Sequence, residues 1–189
     1  MGDFMDYKDY QKSRDAAWEL LIRMKIRSLP IKISEICFAL GIKLKYSEDL
    51  IDTDGYSFFL KDIPCIVIRK TDNIGRLRFT VAHELGHILL GHVGMYELVN
   101  REPAPNDDPI EQAANVFAIR LLAPACVLWG LNVTSAEQIS QICDISLQAA
   151  QFRMQHLKEL YRRNKFLTSR LEKVLYFRFR RFIKENRFE

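Results

Sequence analysis

The apolar positions of this chain fall into blocks whose spacing changes from helical to strand-like and back. Ala17, Trp18, Leu20, Leu21 and Met24 recur at helical intervals and predict a helix from about Asp9 to Arg27, ended by Leu29-Pro30. A shorter helix is expected from Ile33 to Leu40, with Gly41 as its stop. The period then shortens. Ile42 to Tyr46, Tyr56 to Leu60 and Cys65 to Arg69 alternate or cluster β-branched and aromatic residues, with turns at Asp54-Gly55 and Asp62-Ile-Pro64. After these three strands, Val81, Ala82, Leu85, Ile88, Leu89 and Leu90 make a helix that is apolar almost all round, the pattern of a buried element. Gly94 to Asp108 is polar and carries prolines, as a loop does. A further helix opens with Asp108 as N-cap and Pro109 at its first position, and runs toward Pro124. The pattern predicts a compact α+β fold: a small three-stranded sheet, a buried helix and a helical C-terminal half.

The buried helix carries the chemistry, in the run Arg78-Phe-Thr-Val-Ala-His-Glu-Leu-Gly-His87. Residues i and i+4 of a helix lie about 40° apart around the axis and roughly 6 Å along it, so His83 and His87 project from one face. Two imidazoles so placed can hold one metal ion, and zinc suits neutral imidazole nitrogens. Glu84 then stands where it can take a proton from the attacking water and deliver it to the leaving nitrogen. An HExxH run also occurs in helices whose histidines only cap or pair. Here, however, leaving three polar side chains unsatisfied in a buried helix would cost several kcal/mol, and a bound metal removes most of that cost.

A catalytic zinc needs a third protein ligand. The pattern H-E-x-x-H-x-x-G-x-x-H would require glycine at 90 and histidine at 93, where Leu90 and Val93 stand instead. In the Pro109 helix, Glu111 sits in the first turn and Asn115 one turn later on the same face, while Ala113, Ala114 and Ala118 permit a close helix–helix approach. Glu111 is therefore a candidate third ligand, and Asn115 a group that could orient a ligand. By helix logic alone Glu111 also suits position N3 of a capping box closed by Asp108. His92 reads first as a satisfied helix-end histidine and second as a site residue. Tyr56, His92 and Tyr96 are candidates to stabilise an oxyanion, each with an ordinary structural reading beside it. Pro64 to Lys70 is a candidate edge strand for holding an extended substrate by β-augmentation. Its unbroken Ile66-Val67-Ile68 run equally fits an interior strand.

The run Arg78 to His92, together with Glu111-Gln-Ala-Ala-Asn115-Val-Phe-Ala118 and Leu121-Leu-Ala-Pro124, resembles the ImmA/IrrE metallopeptidase family. Ala17 to Ile22, Leu29-Pro30, Ile36 to Ile42 and the region from Gly55-Tyr56 to Ile68 are similar to it as well, so the likeness spans about residues 15 to 160. The resemblance implies a zincin-like (HExxH…E, gluzincin-like) zinc metalloendopeptidase with one zinc per chain on His83, His87 and Glu111, and Glu84 as catalytic base. It also implies a protein substrate that is a helix-turn-helix repressor of a mobile element or stress regulon, whose cleavage relieves repression.

Charge and composition set further bounds. With 189 residues, 48% apolar, the chain can bury one good core. Its net charge of +4 is unevenly spread, because residues 161–189 carry ten Lys/Arg against three Asp/Glu. We read residues 1–160 as the peptidase domain and 161–189 as a basic amphipathic helical extension, packed through Leu171, Val174, Leu175, Phe179, Phe182 and Ile183. This extension would touch nucleic acid at most weakly. Residues 135–157 have helix-turn-helix spacing, with Arg153 as the residue that could reach a groove. Their surroundings are slightly acidic, however, which favours a scaffold over a DNA reader. Cys37, Cys65, Cys126 and Cys143 form no CxxC pair and read as buried thiols of a reducing compartment. Val116 to Val133 is broken by Arg120 and Pro124, so no membrane span is expected, and the protein reads as cytoplasmic. The alternatives to a peptidase are a DNA-binding regulator built on 135–157 and a catalytically silent protein that sequesters a repressor.

Overall fold

The computed structural model describes residues 6–93 and 108–189 and is mixed α+β. Helix α1 (Tyr7–Arg23) is capped by Asp6, whose side chain accepts from the Asp9 N–H at 2.7 Å. It ends before the predicted Arg27. Lys25 adopts φ 56°, and the turned chain donates the Ile26 N–H back to the Leu21 carbonyl at 3.0 Å. Helix α2 (Ile33–Ala39) follows, with Ile33, Ile36 and Cys37 buried.

Strands β1 (Lys43–Ser47), β2 (Gly55–Leu60) and β3 (Ile63–Arg69) form one sheet in the order β1-β3-β2, with β1 parallel and β2 antiparallel to β3. The β2–β3 turn is the two-residue Lys61-Asp62, both at positive φ, which matches the right-handed strand twist. Ile63 and Pro64 therefore belong to the strand rather than to the predicted turn. Of the two readings of Pro64 to Lys70, the structure selects the interior strand over the exposed edge, because β3 is paired on both sides. Ile66, Val67 and Ile68 are all buried, which is why the run is unbroken by polar residues. Among the described residues, the open edges are those of β1 and β2.

Helix α3 (Ile74–Leu89) packs on this sheet and against α4 (Pro109–Leu122). The approach is close because of small residues. Ala113, Ala114 and Ala118 are buried in α4, and a Cβ on Gly86 would stand 3.0 Å from the Phe117 ring. The continuation of α4 is broken at Ala123-Pro124 and resumes as a separate short helix, α5 (Ala125–Gly130), which the periodicity did not resolve. Pro109–Gly130 is the one stretch among the described residues with the length and apolarity of a membrane span, and 78% of its 18-residue apolar window is buried inside the fold as core.

Helices α6 (Ala136–Cys143) and α7 (Leu147–Arg162) do form a helix-turn-helix shape, with a left-handed Asp144 in the turn. That turn is clamped onto α3: Arg78 donates to the carbonyls of Ile31 at 2.8 Å, Cys143 at 3.2 Å and Asp144 at 2.8 Å. Arg153, the residue that a DNA reader would extend, is 1% exposed and donates Nε to the Ala123 carbonyl at 2.7 Å. It faces the core, so it cannot read a groove from this position. Helix α8 (Arg170–Asn186) packs on α1 and α5 through Leu175, Phe179 and Ile183, and the Phe188 N–H donates to the Leu131 carbonyl at 2.9 Å. All four cysteines are free and buried.

Candidate metal centre

The site lies where α3 and α4 meet. Helical spacing puts His83 and His87 on the α4 side of α3, and their Nε2 atoms are 2.9 Å apart. From the first turn of α4, Glu111 straddles both rings, with Oε2 3.1 Å from His83 Nε2 and Oε1 3.4 Å from His87 Nε2. Asp108 does cap this helix, but through the Ile110 N–H at 2.8 Å. The Glu111 carboxylate turns to the imidazoles instead of closing a capping box, so the cap reading of that side chain does not describe its placement.

The outer ring nitrogens are held as well. Asn115 Oδ1 lies 2.9 Å from His83 Nδ1, and His92 Nδ1 lies 3.1 Å from His87 Nδ1. His92 reaches that position through the end of α3. Gly91, at φ 78°, takes the left-handed conformation that a Cβ disfavours, and the His92 N–H then donates to the His87 carbonyl at 2.9 Å while Gly91 N–H donates to Ile88 at 3.3 Å. A Gly-His pair that is out of register for a three-histidine site thus folds back behind the second histidine.

Proton positions follow from these contacts. With Asn115 Oδ1 accepting, a neutral His83 carries its proton on Nδ1 and presents a lone pair at Nε2. If His87 donates from Nδ1 to His92, its Nε2 is also a lone pair. Two lone pairs then face a carboxylate in a site where His87 is fully buried. Such an arrangement calls for a cation or a proton. Burial disfavours protonation of His83, but its hydrogen bond to Glu111 and the nearby Glu84 charge outweigh this and hold its pKa above the ordinary value. Where these ring nitrogens carry a proton instead, hydrogen bonds from His83 and His87 hold the Glu111 carboxyl far below the usual range.

The donor set suits a metal. Ligands about 2.0–2.1 Å from a tetrahedral ion stand roughly 3.3 Å from one another, against the 2.9, 3.1 and 3.4 Å found here. Glu84 is also near enough to His83 and His87 for the three to form a metal-ligating group. Its placement is nevertheless different. It is 3% exposed, and its Oε2 accepts a 2.7 Å hydrogen bond from Ser57 Oγ on β2, while Glu111 alone bridges both Nε2 atoms.

Residues 37–162 match the IrrE N-terminal-like domain of the peptidase M78 family. The chain belongs to the peptidase M78 family. The match covers two thirds of the sequence, from α2 to the end of α7, and takes in every residue of the cluster. A metallopeptidase-type function follows at the level of the family. Comparison with curated proteins found no match.

Of the residues singled out in the sequence, this M78 chain brings together His83, Glu84, His87, Glu111, Asn115 and His92. Tyr56 is not part of the cluster: it sits on β2 beside Phe58, ring centroids 5.8 Å apart. Tyr96 and all but the last residue of the expected loop from Gly94 to Asp108 lie outside the described residues. Ser57 was missed. Its signal was strand alternation, which places it on the same buried face as Gly55, so that a hydroxyl occupies a position normally given to an apolar side chain.

Proposed function

We propose that the protein is a zinc-dependent endopeptidase in which His83, His87 and Glu111 hold one zinc ion per chain and Glu84 is the general base. The observation that carries this reading is the convergence of two imidazole Nε2 atoms and both Glu111 oxygens within 3.4 Å. Bound there, zinc would supply Lewis-acid polarisation of the scissile carbonyl and a more acidic water. Asn115 and His92 fix the ring orientations and tautomers of His83 and His87. Ser57 holds Oε2 of Glu84 and leaves the other carboxylate oxygen to take a proton from water and pass it to the leaving nitrogen. The open edge of β2, the strand that carries Ser57, offers backbone groups to an extended substrate.

The substrate we propose is a helix-turn-helix repressor, by likeness to the ImmA/IrrE family, and the four unpaired buried cysteines support action in the reducing cytoplasm. The test is incubation of the full chain with purified helix-turn-helix repressors from the same genome, followed by mass spectrometry of the products. Fragments that a chelator prevents and added zinc restores are the expected result. Release of the repressor from its operator without any fragment would replace the peptidase reading with that of a sequestering protein.

A further inference from the structure

The outer face of α8 is not accounted for by its packing. Leu175, Phe179 and Ile183 cover the core, yet Phe177 is 62% exposed on the opposite side and Val174 is 39% exposed. Beside them runs a cleft of about 820 Å³ lined by Arg27, Arg170, Lys173, Arg178, Arg180 and Arg181. Glu185 is the one acid in its wall and is paired with Arg181 at 2.8 Å. Among the described residues no carboxylate pairs with the other five cations, and the buried Nε of Arg178 has no hydrogen-bond partner. Concentrating six cations around one cleft raises the energy of the isolated protein by mutual repulsion, and an anionic partner removes that cost.

We propose that this cleft binds single-stranded nucleic acid. Charge alone would suit any polyanion; the exposed aromatic narrows the choice. Phe177 stands among the guanidiniums with Arg180 stacked over its ring at 3.8 Å. Cationic side chains that follow a phosphate backbone, interleaved with an aromatic ring and a guanidinium plane on which a base can stack, are the working parts of single-strand binding sites. Polyglutamate and other acidic peptides without aromatic residues have no flat ring to place there, whereas every nucleotide brings one. A duplex keeps its bases stacked inside, so it can meet the cations but not Phe177. Weak, charge-only contact is what the basic tail by itself predicts; the cleft and the exposed ring add a stacking site. The surface shares no residue with the candidate metal centre.

The experiment is fluorescence anisotropy of a labelled oligothymidylate with the full chain, titrated over salt, with the matching duplex and polyglutamate as competitors. Single strand should bind more tightly than duplex, and polyglutamate should compete poorly at equal charge. Phe177→Ala, a change at an exposed position, should weaken binding about five-fold or more without altering the salt dependence. Lys173→Gln combined with Arg178→Gln should reduce the slope of log K against log salt by about 1.4, as expected for two single-strand phosphates lost. None of these values should change in a chelator, which separates this binding from the peptidase reading. Equal competition by polyglutamate would assign the cleft to an acidic protein surface and overturn the proposal. Tighter binding of duplex, wild-type affinity in Phe177→Ala, or no binding at low salt would overturn it equally.

Discussion

Helix α4 carries two buried polar clusters, and they treat histidine in opposite ways. In its first two turns, Glu111 and Asn115 face His83 and His87, and the inner ring nitrogens point at a carboxylate. In its last turn, Arg120 is 5% exposed, hydrogen-bonds the Tyr10 hydroxyl and lies over its ring, and reaches His156 Nε2 at 2.9 Å. An imidazole that accepts from a guanidinium cannot hold a proton on that nitrogen. Burial and the Arg120 charge accordingly push His156 down to about 4, whereas the carboxylates near His83 outweigh burial and raise its pKa. The comparison teaches that burial alone does not mark a ligand. The His156 cluster already contains its own cation, so its lone pair is used. The His83 cluster brings lone pairs and negative charge together, and among the described residues no lysine or arginine pairs with it.

The largest expected effect tests the chemistry proposed for a cation held there. Glu84→Gln keeps the shape of the side chain but removes the base, so peptidase activity should fall about 10²–10⁴-fold while bound metal stays at the wild-type level. Cleavage at an undiminished rate would mean that the cluster binds metal without Glu84 acting as base. A smaller loss is expected from Ser57→Ala. Removing a hydrogen bond to a carboxylate frees the base to rotate, and kcat should drop roughly ten-fold with little change in KM. Ser57→Thr, which keeps the hydroxyl, should recover part of it; a change confined to KM would place Ser57 in substrate binding instead.

The two clusters also differ in how far they could be read from the sequence. His83, Glu84 and His87 form a contiguous motif on a helix whose apolar surroundings show that it is buried, whereas helix logic leaves Glu111 between ligand and cap and the resemblance to the ImmA/IrrE family points to the ligand. Ser57 lies 27 residues from Glu84, and only the sheet order reveals that its strand faces α3. The same reason leaves edge and interior readings of Pro64 to Lys70 open. An Ile-Val-Ile run reports burial on both faces, but the chain order β1-β2-β3 hides the fact that the last strand enters between the first two. The Arg120–His156 pair had no local signal at all, since it joins residues 36 apart across two helices. For residues 135–157, helix-turn-helix spacing was visible, but the inward direction of Arg153 depends on how α7 packs near Ala123.

The smallest effect concerns the His156 cluster. Its folded pKa of about 4 lies below the ordinary 6.5, so the neutral ring contributes stability above about pH 6.5 that is lost as pH falls toward 4. His156→Gln cannot take up that proton and should show a flatter dependence of Tm on pH across this window, with no effect on cleavage at neutral pH. An unchanged slope would show that His156 does not titrate differently in the folded and unfolded chain. A loss of cleavage at neutral pH would break the distinction between the two clusters.

The central claim is that converging lone pairs, rather than buried histidines as such, make the metal site. It is tested most directly by the metal content of the purified full chain, measured by inductively coupled plasma mass spectrometry for wild type, Glu111→Ala and His156→Gln. The account predicts about one zinc per chain in wild type and in His156→Gln, and loss of most of it in Glu111→Ala. Full zinc retained by Glu111→Ala, or zinc lost from His156→Gln, would contradict it.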